Sequence, residues 1–424
     1  MYLDEIVAAQ HLGQARGIPS ICSAHPWVLK AAMQAAKGPL LIEATCNQVN
    51  QFGGYTGMAP ADFAGYIAAM AWENGFPFEN IILGGDHLGP SVWQNEPAEA
   101  AMRKAEALVR AYVRAGFTKF HLDCSMRLGD DGGCALDAEC GAERAARLAR
   151  IVEEVGSEDV RTVIGSEVPS PGGATQHEEG ARVTRVEDLR QTIALTQAAF
   201  ARQGLQAAWE RVRAVVVQPG VEFGDDFVLP YQPEAAQGLV NYIESEPQLV
   251  YEAHSTDYQK PQGLRRLVQD HFAILKVGPA LSFAFREGAF ALAEIEDELF
   301  PAGERSDLIA GMDEAMRRHP EHWQKYYQGT EDEVAWKRKY SLSDRVRYYW
   351  PMPAVQARLK RLLDNLGEKP IPLALLEQFM PAQCARIREG RLDNHPQALL
   401  LDKIESVLAE YFAACGVDAP LHAN

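Results

Sequence analysis

The chain has 424 residues, 47% of them hydrophobic and 23% charged, with a formal net charge of −17. That is the composition of an ordinary globular protein and excludes the disordered and fibrous classes. The acidic balance argues against a nucleic-acid partner, whose phosphates call for Lys and Arg. A single bound phosphate group is not excluded, since it needs only one or two cations or a helix N-terminus.

The start, Met1-Tyr2-Leu3-Asp4-Glu5, has no basic segment leading into an apolar one. No run approaches about 18 uninterrupted apolar residues, so no membrane partner is expected. The seven cysteines (Cys22, Cys46, Cys124, Cys134, Cys140, Cys384, Cys415) show neither a CxxC pair nor zinc-ribbon spacing. They suit a reducing compartment, and a cytoplasmic location is expected.

Short apolar runs alternate with amphipathic stretches through residues 1–300, the mark of strands feeding helices in a parallel sheet. The first candidate strand, 21–24, carries Ser23 at its end with His25 just beyond. The second, 40–45, holds Glu43 and Thr45 and leads to Asn47. The third, 81–84, runs into Asp86-His87. The fourth, 119–123, carries His121 and Asp123, and the fifth, 162–166, ends at Ser166 beside Glu167. The sixth, 214–218, ends at Gln218; the seventh, 249–253, holds Glu252 and is followed by His254; the eighth, 273–277, contains Lys276. Runs such as Val215-Val216-Val217 fit parallel strands buried on both faces.

Between the strands, 99–115, 142–155, 186–202 and 261–271 place apolar residues near a 3.6 period. Gly38, Gly75, Gly116, Gly156 and Gly204 stand where a helix wants a left-handed C′ residue, and Pro60 and Pro97 open helices. Eight such units predict an α/β protein of the TIM (β/α)8 barrel class rather than an open doubly wound sheet. From about residue 301 the strand signals stop. Residues 301–424 read as a helical C-terminal extension packed on the barrel, with helices over 306–318, 353–366, 372–379 and 397–415. Its aromatic-basic stretch, Tyr340-Ser-Leu-Ser-Asp-Arg-Val-Arg-Tyr-Tyr-Trp350, either caps the barrel or brings Arg345 or Arg347 to an anionic ligand.

A barrel concentrates its chemistry at the C-terminal ends of its strands. One Asp or His at such a place is ordinarily a helix cap or a loop hydrogen-bonder. Their convergence around one mouth is another matter, because buried ionisable groups must pair, bind a metal or face a solvated pocket. Asp86-His87, set in Gly84-Gly-Asp-His-Leu-Gly-Pro90, can supply a proton-moving carboxylate beside a metal-binding imidazole, with glycines that let backbone approach a ligand. His254 is a second imidazole across the barrel. Glu167 completes a metal shell or acts as an acid/base, or else pairs with Lys276. His25 divides between helix entry and substrate contact. The amide- and glycine-rich loop 47–58, with Asn47 and Tyr55, suits hydroxyl or phosphate recognition.

No GxxxxGK[ST] loop, kinase glycine loop, GxSxG elbow or GxGxxG fingerprint is present, so kinase, hydrolase and dinucleotide readings lack support.

Several strings resemble a known family. Cys22-Ser-Ala-His-Pro26, the run 42–58, Gly84 to Pro90, Val217-Gln-Pro-Gly-Val-Glu-Phe223, Tyr251-Glu-Ala-His-Ser-Thr-Asp-Tyr258, Leu275-Lys-Val-Gly-Pro-Ala280 and Tyr340-Ser-Leu-Ser-Asp-Arg345 are similar to the GatZ/KbaZ/AgaZ subunits of D-tagatose-1,6-bisphosphate aldolase. The resemblance implies a TIM barrel of galactitol or N-acetylgalactosamine catabolism, an oligomer, acting on a tagatose-type sugar or sugar phosphate. It implies first a subunit that supports a separate class II aldolase catalytic subunit, and second a metal-dependent ketose 4-epimerase. Some members carry a tagatose 6-phosphate kinase name, which the missing phosphate loop contradicts.

A more distant likeness to class II aldolases implies that Asp86 moves a proton and that His87, His254 and Glu167 hold a divalent metal, zinc first, with manganese or magnesium as alternatives. It also matches Asp123-Cys-Ser125 to an Asp-Gly-Ser element. The aldolases' third zinc histidine, on strand six, is replaced here by Gln218-Pro-Gly220, which argues against ordinary aldol cleavage by this chain alone. His25, Glu43, Asn47, Tyr55, Asp123, Gln218, Lys276 and Arg345 are the expected substrate contacts.

Overall fold

The computed structural model describes residues 2–132, 136–165 and 182–417. Eight parallel strands close into a barrel: β1 (Ile18–Ile21), β2 (Leu40–Thr45), β3 (Ile81–Leu88), β4 (Lys119–Leu122), β5 (Arg161–Ile164), β6 (Val212–Val217), β7 (Val250–Ala253) and β8 (Phe272–Val277). Each strand pairs with the next, and β1 returns to β8 with Ile18 opposite Ile274 and Ile21 opposite Val277. A two-stranded antiparallel ribbon, Glu222–Phe223 with Val228–Leu229, follows β6.

Alternate residues of a strand face the barrel interior, so each strand can present a different chemistry at successive depths. At the bottom the inward residues are apolar: Ile18, Leu41, Ile82, Val163, Val216, Val250 and Ile274 pack with Leu3, Ile6 and Val7 of the helix Tyr2–His11, which plugs that end. Two residues further along the strands come Ser20, Glu43, Gly84, Glu252 and Lys276, and with them Lys119. Two further still come Cys22, Thr45, Asp86, His121 and His254.

The middle level is ionic and fully enclosed. Lys119 Nζ lies 2.5 Å from Glu43 Oε1 and 2.6 Å from Glu252 Oε2, with all three side chains at 0% exposure. Gly84 makes room for this pairing: a Cβ there would stand 2.5 Å from Glu43 Oε1. The glycines around Asp86-His87 therefore serve internal packing. A Cβ on Gly89 would fall 1.8 Å from the carbonyl oxygen of Asp123, where the loop after β3 crosses β4.

Strand positions agree with the sequence pattern to within a residue or two except at β3, which runs on from 84 through Asp86-His87 to Leu88, and at β1, which runs over Ile18–Ile21 rather than 21–24. Pro19 reads as a chain breaker in sequence, yet it sits inside this short strand, and Cys22 N continues the ladder to Val277 O at 2.9 Å. The helices Ala98–Arg114, Ala138–Val155, Val186–Arg202 and Pro261–Gln269 match the expected ones to within a few residues at their ends. Gly75, Gly116 and Gly204 close their helices at positive φ, whereas Gly156 keeps φ −79 and Gly38 also stays out of that region.

Beyond the helix Pro279–Leu299 come Leu308–Arg318, Glu331–Tyr340, Pro353–Gly367, Leu373–Phe379, Pro381–Arg388 and Pro396–Cys415. The last packs between Pro26–Ala35 and Pro261–Gln269 and along β1, and so takes the eighth place in the outer helical ring. Tyr411 Oη donates to Thr256 O at 2.7 Å, and Gly17 N donates to Cys415 O at 3.0 Å. The segment 341–352 is pinned over the mouth by Asp344, whose carboxylate accepts from Arg286 Nε (2.7 Å) and Ser282 Oγ (2.5 Å). Among the described residues no helix is long and apolar enough to cross a membrane.

Candidate metal centre at the barrel mouth

Three imidazoles meet where the strands end: His87 on β3, His121 on β4 and His254 just past β7. Their ring centroids lie 5.0 to 5.3 Å apart in all three pairs. Each ring has one nitrogen committed to a carboxylate. His87 Nδ1 lies 2.8 Å from Asp123 Oδ2, His121 Nδ1 2.8 Å from Asp86 Oδ1, and His254 Nε2 3.0 Å from Glu252 Oε1.

A neutral imidazole that donates from one nitrogen keeps a lone pair on the other, and a carboxylate behind the ring is the usual way a metal-binding histidine is oriented. His121 Nε2 is buried without a hydrogen-bond partner, an orphan that a cation would satisfy. Ligand atoms of Asp86, His87, His121 and His254 fall within 4.8 Å of one another, so this buried group could hold a metal ion.

The electrostatics favour a cation. The carboxylates of Glu43, Asp86, Asp123 and Glu252 outnumber the ammonium groups of Lys119 and Lys276 among them. Burial opposes charge on Asp86, but His87, Lys276 and His121 hold its carboxyl well below the usual carboxylate range. Burial and Lys276 push His254 down to about 3, leaving a neutral ring able to ligate. For His87, burial is outweighed by Asp86 and Asp123, which raise it; a bound cation would displace that proton. Lys276 pairs with Asp86 and lies 3.1 Å from Glu43 Oε2. Against the pull of burial these carboxylates raise it well above its ordinary value. Those carboxylates favour its ammonium form over the neutral amine a Schiff base would require.

Backbone strain marks the same place. His87 adopts φ 47 and Ser255, next to His254, φ 54. Non-glycine residues in this region persist only where surrounding contacts impose it, commonly at functional sites.

A cavity of about 550 Å³ opens above the cluster, in the usual range for small-molecule sites. Of the expected contacts, His25, Asn47, Tyr55, Asp86, His87, His254 and Lys276 line it. Burial lowers His25 to about 3, and its neutral ring packs on Phe285 with centroids 4.6 Å apart. Its Nδ1 is buried without a partner.

Four expected substrate contacts lie outside the lining. Glu43 belongs to the ionic level below, held by Ser20 Oγ at 2.6 Å and by both lysines. Asp123 stands behind His87. The Gln218 side chain accepts from Gly220 N at 2.8 Å and shapes its own turn. Arg345 is buried with its guanidinium 3.1 Å from the centre of the Tyr326 ring, and Nη1 donates to His322 O. Its neighbour Arg347 reaches the cavity instead, with Tyr326, Tyr348 and Trp350. Glu167 and the loop 169–173 lie outside the described residues.

In the sequence His121 is one strand-end polar residue among several, with nothing local to mark it as a ligand, and Lys119 stands at the start of its strand, where no chemistry is expected. The usable signal was strand parity, since Lys119 and His121 fall in phase with Asp123.

The description of the family "D-tagatose-1,6-bisphosphate aldolase subunit GatZ/KbaZ-like" matches this chain over residues 3–416. The chain belongs to that family. A solved structure described as a probable tagatose 6 phosphate kinase from Sinorhizobium meliloti is 46% identical to this GatZ/KbaZ-like chain. It covers 94% of this chain and 100% of that one, with a TM-score of 0.88. The fructuronate-tagaturonate epimerase of Cohnella laeviribosi shares the fold at 11% identity and a TM-score of 0.52, over 95% of this chain and 81% of that one.

Asp123→Asn is expected to weaken metal binding by about 10- to 100-fold, because Asp123 fixes the tautomer and aim of His87. Competition against a coloured chelator measures this, and an unchanged affinity would show that the Asp123–His87 pair does not support a ligand.

Proposed function

We propose that this GatZ/KbaZ-like chain is itself a divalent-metal-dependent ketose 4-epimerase of the tagatose/fructose type, with zinc as the first candidate and manganese or magnesium as alternatives. The observation that carries this reading is the set of three imidazoles, each backed by its own carboxylate, at the base of a cavity of small-molecule size. A subunit that only steadied a partner would gain nothing from burying so many ionisable groups, since buried ion pairs contribute little net stability.

His87, His121 and His254 would hold the cation. When bound, it would act as a Lewis acid toward the sugar's carbonyl and hydroxyl oxygens. Asp86, kept ionised by its neighbours, takes the proton from the C4 hydroxyl. The C3–C4 electron pair then moves to C3, leaving an aldehyde and an ene-diolate fragment. Turning the aldehyde over and re-forming the bond inverts C4, and the proton returns from Asp86. The walls formed by Tyr326, Arg347, Tyr348 and Trp350 keep both fragments together while this happens.

A second reading is favoured by the family description, which names an aldolase subunit; on that reading the chain would express its activity with a class II catalytic partner. The kinase name of the Sinorhizobium protein is not carried over, because this chain has no phosphate-binding loop of the GxxxxGK[ST] kind.

Product analysis separates these readings. The purified chain, loaded with Zn²⁺, Mn²⁺ or Mg²⁺, is given D-tagatose, D-fructose and their phosphates. A C4 epimer without triose is the expected result. Triose phosphate would make the chain a stand-alone aldolase, and turnover only after adding the class II partner would leave the subunit role.

A further inference from the structure

Accepting the ketose site just proposed, we infer that its ligand carries at most one anionic group, met by Arg347, and that a sugar bisphosphate is excluded. Neutral amides and hydroxyls such as those of the loop 47–58 can hydrogen-bond a phosphate, but its charge is balanced by cationic side chains or by the free N–H groups of a helix N-terminus. Among the described residues, Lys276 and Arg347 are the lysine and arginine side chains that line the cavity. The remaining segments add none: residues 133–135, 166–181 and 418–424 contain neither Lys nor Arg.

Lys276 is already spoken for, paired with Asp86 and Glu43 at the cavity base. The second resource, the helix N-terminus after β8, is closed by the chain itself. Asp257 Oδ1 accepts from Gly278 N at 3.0 Å and from Ala280 N at 2.8 Å, the first amides of the helix Pro279–Leu299. In many TIM barrels the loops after strands seven and eight, with a helix N-terminus, take a substrate phosphate. Here a buried carboxylate of the protein sits in that position. The helix Pro26–Ala35 also starts at the cavity, but its first position is a proline without an N–H, and Trp27 and Val28, which carry the next amides, do not line the cavity.

Arg347 remains. Its Nη1 donates to the carbonyls of Ser343 and Asp344, and its Nη2 donates to Tyr348 Oη at 3.1 Å. Those bonds leave Nε and one Nη2 hydrogen, enough for one phosphate or carboxylate. A second phosphate would sit without a cation in a cavity whose lining includes the carboxylates of Asp86 and Asp257, where like charges repel strongly.

The test is a calorimetric titration of the metal-loaded wild-type chain with D-tagatose, its 1-phosphate, its 6-phosphate and its 1,6-bisphosphate, repeated on Arg347→Met. One monophosphate should bind at least as tightly as D-tagatose, and the bisphosphate about tenfold or more weaker than that monophosphate. Arg347→Met should remove the monophosphate's advantage over D-tagatose, bringing the two affinities to within about twofold of each other. A bisphosphate that binds tighter than either monophosphate would overturn the inference while keeping the ketose site. Failure of every ketose to bind the folded, metal-loaded chain would remove the site reading along with it. The wild-type series decides the matter even if Arg347→Met does not fold.

Discussion

Alanine at His87, His121 or His254 should each cost the protein its tightly held metal, with affinity falling by more than about a hundredfold. Disturbing only the residues that orient a ligand typically costs about 10- to 100-fold, and removing the ligand itself costs more. The three rings are predicted to act as a unit because a carboxylate, Asp123, Asp86 or Glu252, holds one nitrogen of each within 3.0 Å, while the other faces the cluster, that of His87 lying 3.5 Å from Asp86 Oδ2. The fold should survive all three substitutions, since the apolar level at the bottom of the barrel is untouched and Lys119 keeps its contacts to Glu43 and Glu252. Metal content after gel filtration, read beside a circular-dichroism melt, checks both halves. His121→Ala is the most informative of the three. Full metal retention by that variant would return the site to two imidazoles and a ligand from elsewhere.

Lys119→Met is expected to produce the largest loss of stability in the molecule, about 3–5 kcal/mol, the usual cost of leaving a buried charge without its partner. Lys119 lies between Glu43 and Glu252 with no exposure. Burial raises the Glu252 carboxyl, but Lys119, His254 and Lys276 together hold it well below the usual range. A carboxylate depressed in the folded state contributes its full stability above the ordinary carboxylate range and loses it as pH falls through the folded value. The gap between parent and variant should therefore be widest near neutrality and narrow in acid. Denaturant midpoints measured across that range test it. Equal midpoints at neutral pH would mean that Glu252 does not depend on Lys119 for its charge.

Much of this protein was legible before any coordinates. The eight strands show as apolar runs because both faces of a barrel strand are buried, and the glycines at 75, 116 and 204 close helices as expected. His87 and His254 were singled out because strand ends are where a barrel keeps its chemistry, and both belong to the buried cluster.

Where the expected contacts stand relative to the cavity has a common cause. Glu43 and Lys276 both sit on barrel strands, yet one lies beneath the cavity and the other lines it; their depth depends on the stagger between β2 and β8. Arg345 and Arg347 are two positions apart in one aromatic-basic stretch. Which of them meets the cavity is set by Asp344, held at φ 45 and tied to Arg286 and Ser282 on a helix some sixty residues away.

The amino-acid pattern by itself determined the barrel, the family and the strand ends at which chemistry would stand, because burial periodicity and contiguous strings are local properties. The third imidazole, the sealed lysine–carboxylate level and the choice of arginine were decided only by the closed tertiary structure. Each depends on which strands face one another across the barrel, and that follows from strand order and stagger rather than from any stretch of sequence.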